Sequence, residues 1–118
     1  MGKKVLVVDD EAHIVHVLSM KLANAGYEAI AAVDGEEALE LCLAEKPDLV
    51  ITDYQMPCMT GLEFCRKLRR NNQTKDIPVL MLTARGFDIP PHEMAAAGIA
   101  GVMSKPFSPR EVLSRVGG

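Results

Sequence analysis

Four apolar runs in this 118-residue chain each break into a side chain that can handle charge. Val5-Leu6-Val7-Val8 runs into Asp9-Asp10, Leu49-Val50-Ile51-Thr52 into Asp53, Val79-Leu80-Met81-Leu82 into Thr83, and Val102-Met103-Ser104 into Lys105. If the runs are parallel strands, their ends share one edge of a sheet, and three carboxylates, a hydroxyl and an ammonium meet in one pocket. Converging carboxylates repel one another, and a divalent cation relieves that repulsion. An all-oxygen donor set suits Mg2+, with Mn2+ as a substitute, because magnesium takes one or two carboxylates, several waters and a phosphate oxygen. The pocket lacks histidine and thiolate, which argues against zinc. Asp53 is placed to be the nucleophile, since an aspartate can attack a phosphoryl donor and hold the group as an acyl phosphate. The cation and Lys105 would neutralise the equatorial oxygens, and the Thr83 hydroxyl could donate to one of them after transfer.

The elements that must position these groups follow from periodicity. Residues 4–8 form a short, unalternating β-branched and leucine run, the pattern of a strand buried on both faces. Ile14, Val17, Leu18, Leu22 and Ala25 then recur at helical spacing, and Gly26 supplies a left-handed stop. The alternation repeats: strand near 28–33, helix near 36–45, strand 48–52, helix near 61–71, strand 78–82, helix near 91–97 closed by Gly98, strand 101–104, and a final helix from Ser108. Strict β-α alternation predicts a parallel sheet with helices on both faces, because parallel neighbours need right-handed crossovers. Acids ending the first and third strands make those two neighbours. The expected fold is therefore a flavodoxin-like (βα)5 doubly wound sheet of order 2-1-3-4-5 rather than the Rossmann order.

Bulk properties fit a single domain spanning 1–118: 48% hydrophobic residues, enough for one core, and a formal charge of -3 with cations scattered along the chain. Nothing in that distribution resembles a nucleic-acid surface. No apolar stretch reaches the roughly 18 residues of a membrane span, and no leader precedes the first strand, so a cytoplasmic location is expected. Cys42, Cys58 and Cys65 have no metal-site spacing. Cys42 and Cys65 fall on apolar helix faces and are expected to be buried, with Cys58 in a loop near Asp53. His13 and His16 on the first helix are expected to be solvated, as are Arg66, Lys67, Arg69 and Arg70 near the end of the third, where cations suit the helix dipole.

Taken together, Val7-Val8-Asp9-Asp10-Glu11, Asp53-Tyr54-Gln55-Met56-Pro57, Gly61, Thr83-Ala84 and Lys105-Pro106-Phe107 resemble the receiver domains of bacterial two-component response regulators. The resemblance covers essentially the whole chain. It implies Asp53 as phosphoacceptor, Asp10 as a direct Mg2+ ligand, Asp9 as a ligand through water, the backbone carbonyl of Gln55 as a further ligand, Lys105 as phosphoryl clamp and Thr83 as switch hydroxyl. It also implies a cis Lys105-Pro106 bond. The implied donor is a sensor histidine kinase or a phosphotransfer protein bearing phosphohistidine, and the output an effector domain or protein, or a phosphorylation-dependent dimer. Such a domain catalyses only its own phosphorylation and dephosphorylation.

Three places depart from the resemblance. Val102 stands where the family usually carries a rotating Tyr or Phe, so a signal is expected to travel by backbone movement after Thr83. Arg85-Gly86-Phe87-Asp88-Ile89-Pro90-Pro91 resists helix until Pro91, which predicts a short fourth helix behind a long loop. The last helix has about three turns at most, which favours a receiver cut from a longer regulator over a stand-alone one with a trimmed end. Gln55 and Arg85 flank the family's path for hydrolytic water and should tune phosphoryl lifetime.

Two other classes compete. An aspartate-nucleophile phosphohydrolase needs a second Asp two residues past the nucleophile, where this chain has Gln55. A flavin or nucleotide binder needs Gly, Ser or Thr donors in the first βα loop, where this chain has Asp9-Asp10-Glu11.

Overall fold

In the computed structural model, which describes residues 3–56, 58–83, 89–104 and 108–117, β-strands and α-helices alternate throughout. The order is β1 (Lys4–Val8), α1 (Ala12–Asn24), β2 (Glu28–Ala32), α2 (Gly35–Glu45), β3 (Leu49–Asp53), α3 (Gly61–Arg70), β4 (Val79–Thr83), α4 (Pro91–Ala97), β5 (Ile99–Ser104) and α5 (Pro109–Gly117). All four strand pairings are parallel and the order is β2-β1-β3-β4-β5, the flavodoxin-like arrangement expected from the acids. Boundaries moved by up to two residues. Asp53 is the last residue of β3, and β5 starts at Ile99.

Each buried strand divides its side chains between two cores, because successive residues point to opposite faces. Leu6, Val8, Val50, Val79 and Met81 face one core with Ala38 and Cys42 of α2, Phe64, Cys65 and Leu68 of α3, and Ala97 of α4. Val5, Val7, Ile51, Leu80 and Leu82 face the other with Val15, Leu18 and Leu22 of α1 and Val112 of α5. The α1 stripe differs from expectation in two positions: Val15 is buried, and Ala25 is exposed because the helix has ended at Asn24. Gly26 takes φ +97 just beyond, as a stop residue must.

Local chemistry starts most of the helices. Thr60 and Glu63 form a reciprocal capping box at α3: the Glu63 amide donates to Thr60 Oγ1 at 3.1 Å and the Thr60 amide to Glu63 Oε1 at 3.0 Å. Those hydrogen bonds, the Thr60 amide's foremost, hold the Glu63 carboxyl below its ordinary range. Asp34 accepts from the Glu37 amide at α2, and Ser108 from the Glu111 amide at α5. Pro91 occupies the first position of α4, and Gly98 closes that helix at φ +70, both as expected.

The basic run in α3 is where expectation fails. Arg66, Lys67 and Arg70 are exposed, but Arg69 is half-buried and spends its guanidinium on five main-chain carbonyls. Nε donates to Ala97 O at 2.8 Å, Nη1 to Thr74 O at 3.3 Å and Lys75 O at 2.7 Å, and Nη2 to Ile77 O at 2.6 Å and Gly98 O at 3.1 Å. All five guanidinium protons are thereby used. A Cβ on residue 98 would collide with Arg69 Nε, so glycine is required there twice over.

This packing leads to three predictions. Arg69→Met leaves the carbonyls at the ends of α4 and the α3–β4 connection without their charged donor and should lower unfolding stability by about 2–4 kcal/mol in urea titration. Burial pushes the Cys42 and Cys65 thiols up to about 12, with the Arg69 charge opposing weakly, while Cys58 is exposed. One thiol per chain should therefore react rapidly with a disulfide reagent at pH 8, and three after denaturation. Because the folded chain holds two thiol protons that the unfolded chain releases above its ordinary thiol pKa, stability should fall as pH rises from about 9 to 12, by roughly 1.4 kcal/mol per pH unit for each thiol.

Candidate phosphoacceptor and metal site

Parallel pairing of β1 with β3 aligns Val8 with Thr52, so the residues that follow, Asp9 and Asp53, leave the sheet side by side. Asp9 is fully buried and Asp53 is 6% exposed, while Asp10 is exposed. One carboxylate oxygen from each of the three lies within 4.8 Å of the others. The sequence expectation that these acids converge is met.

Backbone bonds lock both acid-bearing turns. The Asp9 amide donates to Ala32 O at 3.2 Å, and Asp9 Oδ1 accepts from the Glu11 amide at 2.9 Å, fixing the turn into α1. Beyond Asp53, the Tyr54 amide donates to Leu82 O at 2.8 Å and the Gly61 amide to Tyr54 O at 2.7 Å. These bonds bring Gly61 back to Tyr54, so that α3 starts against the end of β3. A Cβ on Gly61 would lie 2.5 Å from Asp53 O and 2.8 Å from Met81 Sδ, so only glycine lets the helix approach this closely.

The remaining expected site residues are distributed as follows. Thr83 ends β4, beside β3 in the sheet, and is fully buried; its hydroxyl donates to Met103 O over a long 3.5 Å. Such a weak bond leaves the hydroxyl easy to redirect. Gln55 is exposed, two residues past Asp53. Lys105 and the Lys105-Pro106 bond lie outside the described residues, as do Ala84, Arg85 and Phe87, although Ser104 at the end of β5 pairs with Thr83. Val102 is half-buried in β5 opposite Met81. His13 and His16 are exposed on α1, as expected.

The three acids fit a small hard cation. Ligands on opposite sides of an octahedral magnesium, bonded at about 2.1 Å, are about 4.2 Å apart. Oxygens within 4.8 Å of one another can share such an ion directly or with one bound through water. Sequence reasoning missed three supports of this site: the Thr60-x-x-Glu63 box, the close approach at Gly61, and the Arg69 anchor. The first was readable as a capping signature. The second and third depend on contacts with residues far away in sequence.

A model of the response regulator receiver domain matches residues 5–117. The chain is 47% identical over 116 residues to the alkaline phosphatase synthesis transcriptional regulatory protein PhoP of Bacillus subtilis, covering 98% of this chain and 48% of that protein. It is 39% identical to the phosphate regulon transcriptional regulatory protein PhoB of Pseudomonas aeruginosa, covering 98% and 51%. The chain thus spans about half the length of these relatives. Among solved structures, the chemotaxis response regulator CheY4 of Vibrio cholerae superposes with a TM-score of 0.91 at 39% identity, covering 99% and 98% of the two chains. The receiver domain of Francisella response regulator 1452 gives 0.87 at 32%, covering 98% and 94%. Among the described residues, no helix is long and apolar enough to cross a membrane.

The crowding of negative charge predicts a metal-dependent stability pattern. Like charges about 4 Å apart near a surface cost on the order of 1 kcal/mol or more. In a chelator, Asp10→Asn should therefore raise the unfolding midpoint by about 4 °C or more. Added Mg2+ should stabilise the parent protein and have little effect on the variant, read by thermal denaturation over a magnesium series.

Proposed function

This chain belongs to the response regulator receiver domain family, and on that premise we propose that it is a phosphorylation-controlled signalling switch whose phosphoacceptor is Asp53. The observation that carries the reading is the approach of the Asp9, Asp10 and Asp53 carboxylates to within 4.8 Å at one sheet edge. The donor is a phosphohistidine on a sensor kinase or phosphotransfer protein. An Asp53 carboxylate oxygen attacks phosphorus, an O–P bond forms, the P–N bond breaks, and the imidazole leaves with a proton. Mg2+ would be held directly by Asp10 and through water by Asp9, with Asp53 and the Gln55 carbonyl completing the protein's share of the ligands. A bound magnesium ion supplies charge neutralisation for the incoming phosphoryl oxygens.

Burial of Asp53 matters to this chemistry. A nearly buried carboxylate is held in one orientation by its strand, so little freedom is lost when it enters the in-line geometry. Lys105, following β5, clamps the transferred group, and the Thr83 hydroxyl turns from its long bond with Met103 O toward a phosphoryl oxygen. With valine at 102, no ring relays that motion, and the signal passes through backbone movement after Thr83 into α4. The altered surface then engages an effector, as a linked domain, a separate protein or a second copy of the domain. The domain acts in the cytoplasm, where such donors operate.

Incubation with magnesium and a small acyl phosphate should add one phosphoryl group by intact mass. Asp53→Asn, or addition of a chelator, should abolish the addition. Acid-stable addition to Asp53→Asn, or many turnovers of a generic phosphomonoester, would overturn the reading.

A further inference from the structure

The mounting of α4 is unequal at its two ends. This helix has seven residues, Pro91–Ala97, with no side-chain cap at its start. At its far end, Arg69 grips Ala97 O and Gly98 O while also holding Thr74 O, Lys75 O and Ile77 O. At the near end the polar tie to α3 among the described residues is one ion pair, Arg66 Nη2 to Glu93 Oε1 at 3.1 Å, with the two side chains 49% and 31% exposed. One end is bonded by a saturated, half-buried guanidinium. The other is bonded by a solvated pair of the kind that salt screens.

Both arginines project from α3, three residues apart, and so form adjacent rungs on one rigid helix. That helix cannot retreat, because its start is pressed against Asp53 O at Gly61 and its body carries the fully buried Phe64, Cys65 and Leu68. Met94 packs against the core only partly, Ala95 and Ala96 offer no larger anchor, and the apolar hold before the helix is Ile89, buried in that core. A displacement entering α4 from the Thr83 side meets the weaker mount first.

We propose that α4 works as a lever pinned at Gly98 by Arg69 and held in its resting position by an Arg66–Glu93 latch, so that breaking the latch favours the phosphorylated form. This rests on the phosphoacceptor reading above, and it assigns the resting bias to two side chains outside the acidic pocket. Since exposed ion pairs contribute little, the latch biases the equilibrium by about two- to fivefold.

The test is the affinity of the full chain for beryllofluoride with Mg2+, an acyl-phosphate mimic, at low and high NaCl, together with hydrogen exchange of residues 92–97. Glu93→Gln and Arg66→Gln should each tighten beryllofluoride binding about two- to fivefold at low salt. The double variant should gain no more than either single, because the two changes remove one interaction, and Arg66→Lys should behave like the parent. High salt should tighten parent binding and leave the Gln variants nearly unchanged. Exchange should quicken at residues 92–94 and hold steady at 96–97. A parent that fails to bind beryllofluoride overturns the phosphoacceptor reading and the coupling with it. A parent that binds, with unchanged affinity in both single variants or additive gains in the double, overturns the latch alone.

Discussion

The parallel register of β1 against β3 is the constraint on which the site depends. With Val8 beside Thr52, two acids separated by more than forty positions in the chain leave the sheet together, and Asp10 joins them across a tight turn. A shift of one residue would turn the side chains of one strand to the opposite face. The register is secured by the two cores, because Leu6, Val8 and Val50 must meet one and Val5, Val7 and Ile51 the other. Hydrophobic burial thus holds in place a cluster of charges that would otherwise drive its bearers apart.

The support for the acids lies mostly in main-chain bonding. Tyr54 N to Leu82 O and Gly61 N to Tyr54 O bind the β3–α3 turn at both ends, and the capping box of Thr60 and Glu63 starts α3 where Gly61 lets it touch Asp53. The strongest polar anchor stands at the opposite end of α3. There Arg69 bonds five carbonyls from two separate connections and ties α4 and the approach to β4 to the same helix. The helix that begins against Asp53 O therefore ends by fixing the far end of α4 and the approach to β4.

Much of this was legible without coordinates. Continuous β-branched runs identified strands buried on both faces, glycines at 26 and 98 marked helix ends, and Pro91 marked the start of the short fourth helix. Acids after the first and third runs were enough to choose the strand order, because only neighbouring strands bring them to one pocket. Boundaries slipped by a residue or two, at Asp53 because a polar residue ends the strand, and at Ile99 because the strand starts directly after the Gly98 helix stop. The α1 stripe was misread at Ala25 because small apolar residues satisfy a periodic pattern whether or not the helix still continues.

Residue types and their order determined the alternating architecture, the two cores, and the presence of carboxylates at neighbouring strand ends, since each depends on periodicity and on the handedness of the chain. The fate of Arg69 was decided only in three dimensions. In sequence it is one of four cations at a helix end, and its neighbours Arg66, Lys67 and Arg70 are indeed solvated. The helical turn directs Arg69 alone toward Ala97, Gly98 and the α3–β4 connection, where carbonyls from distant positions need a donor. The same holds for Gly61, whose necessity comes from the nearness of Asp53 O and Met81. Local pattern records which groups a segment carries, whereas close contacts between distant segments exist only after the sheet and helices have packed.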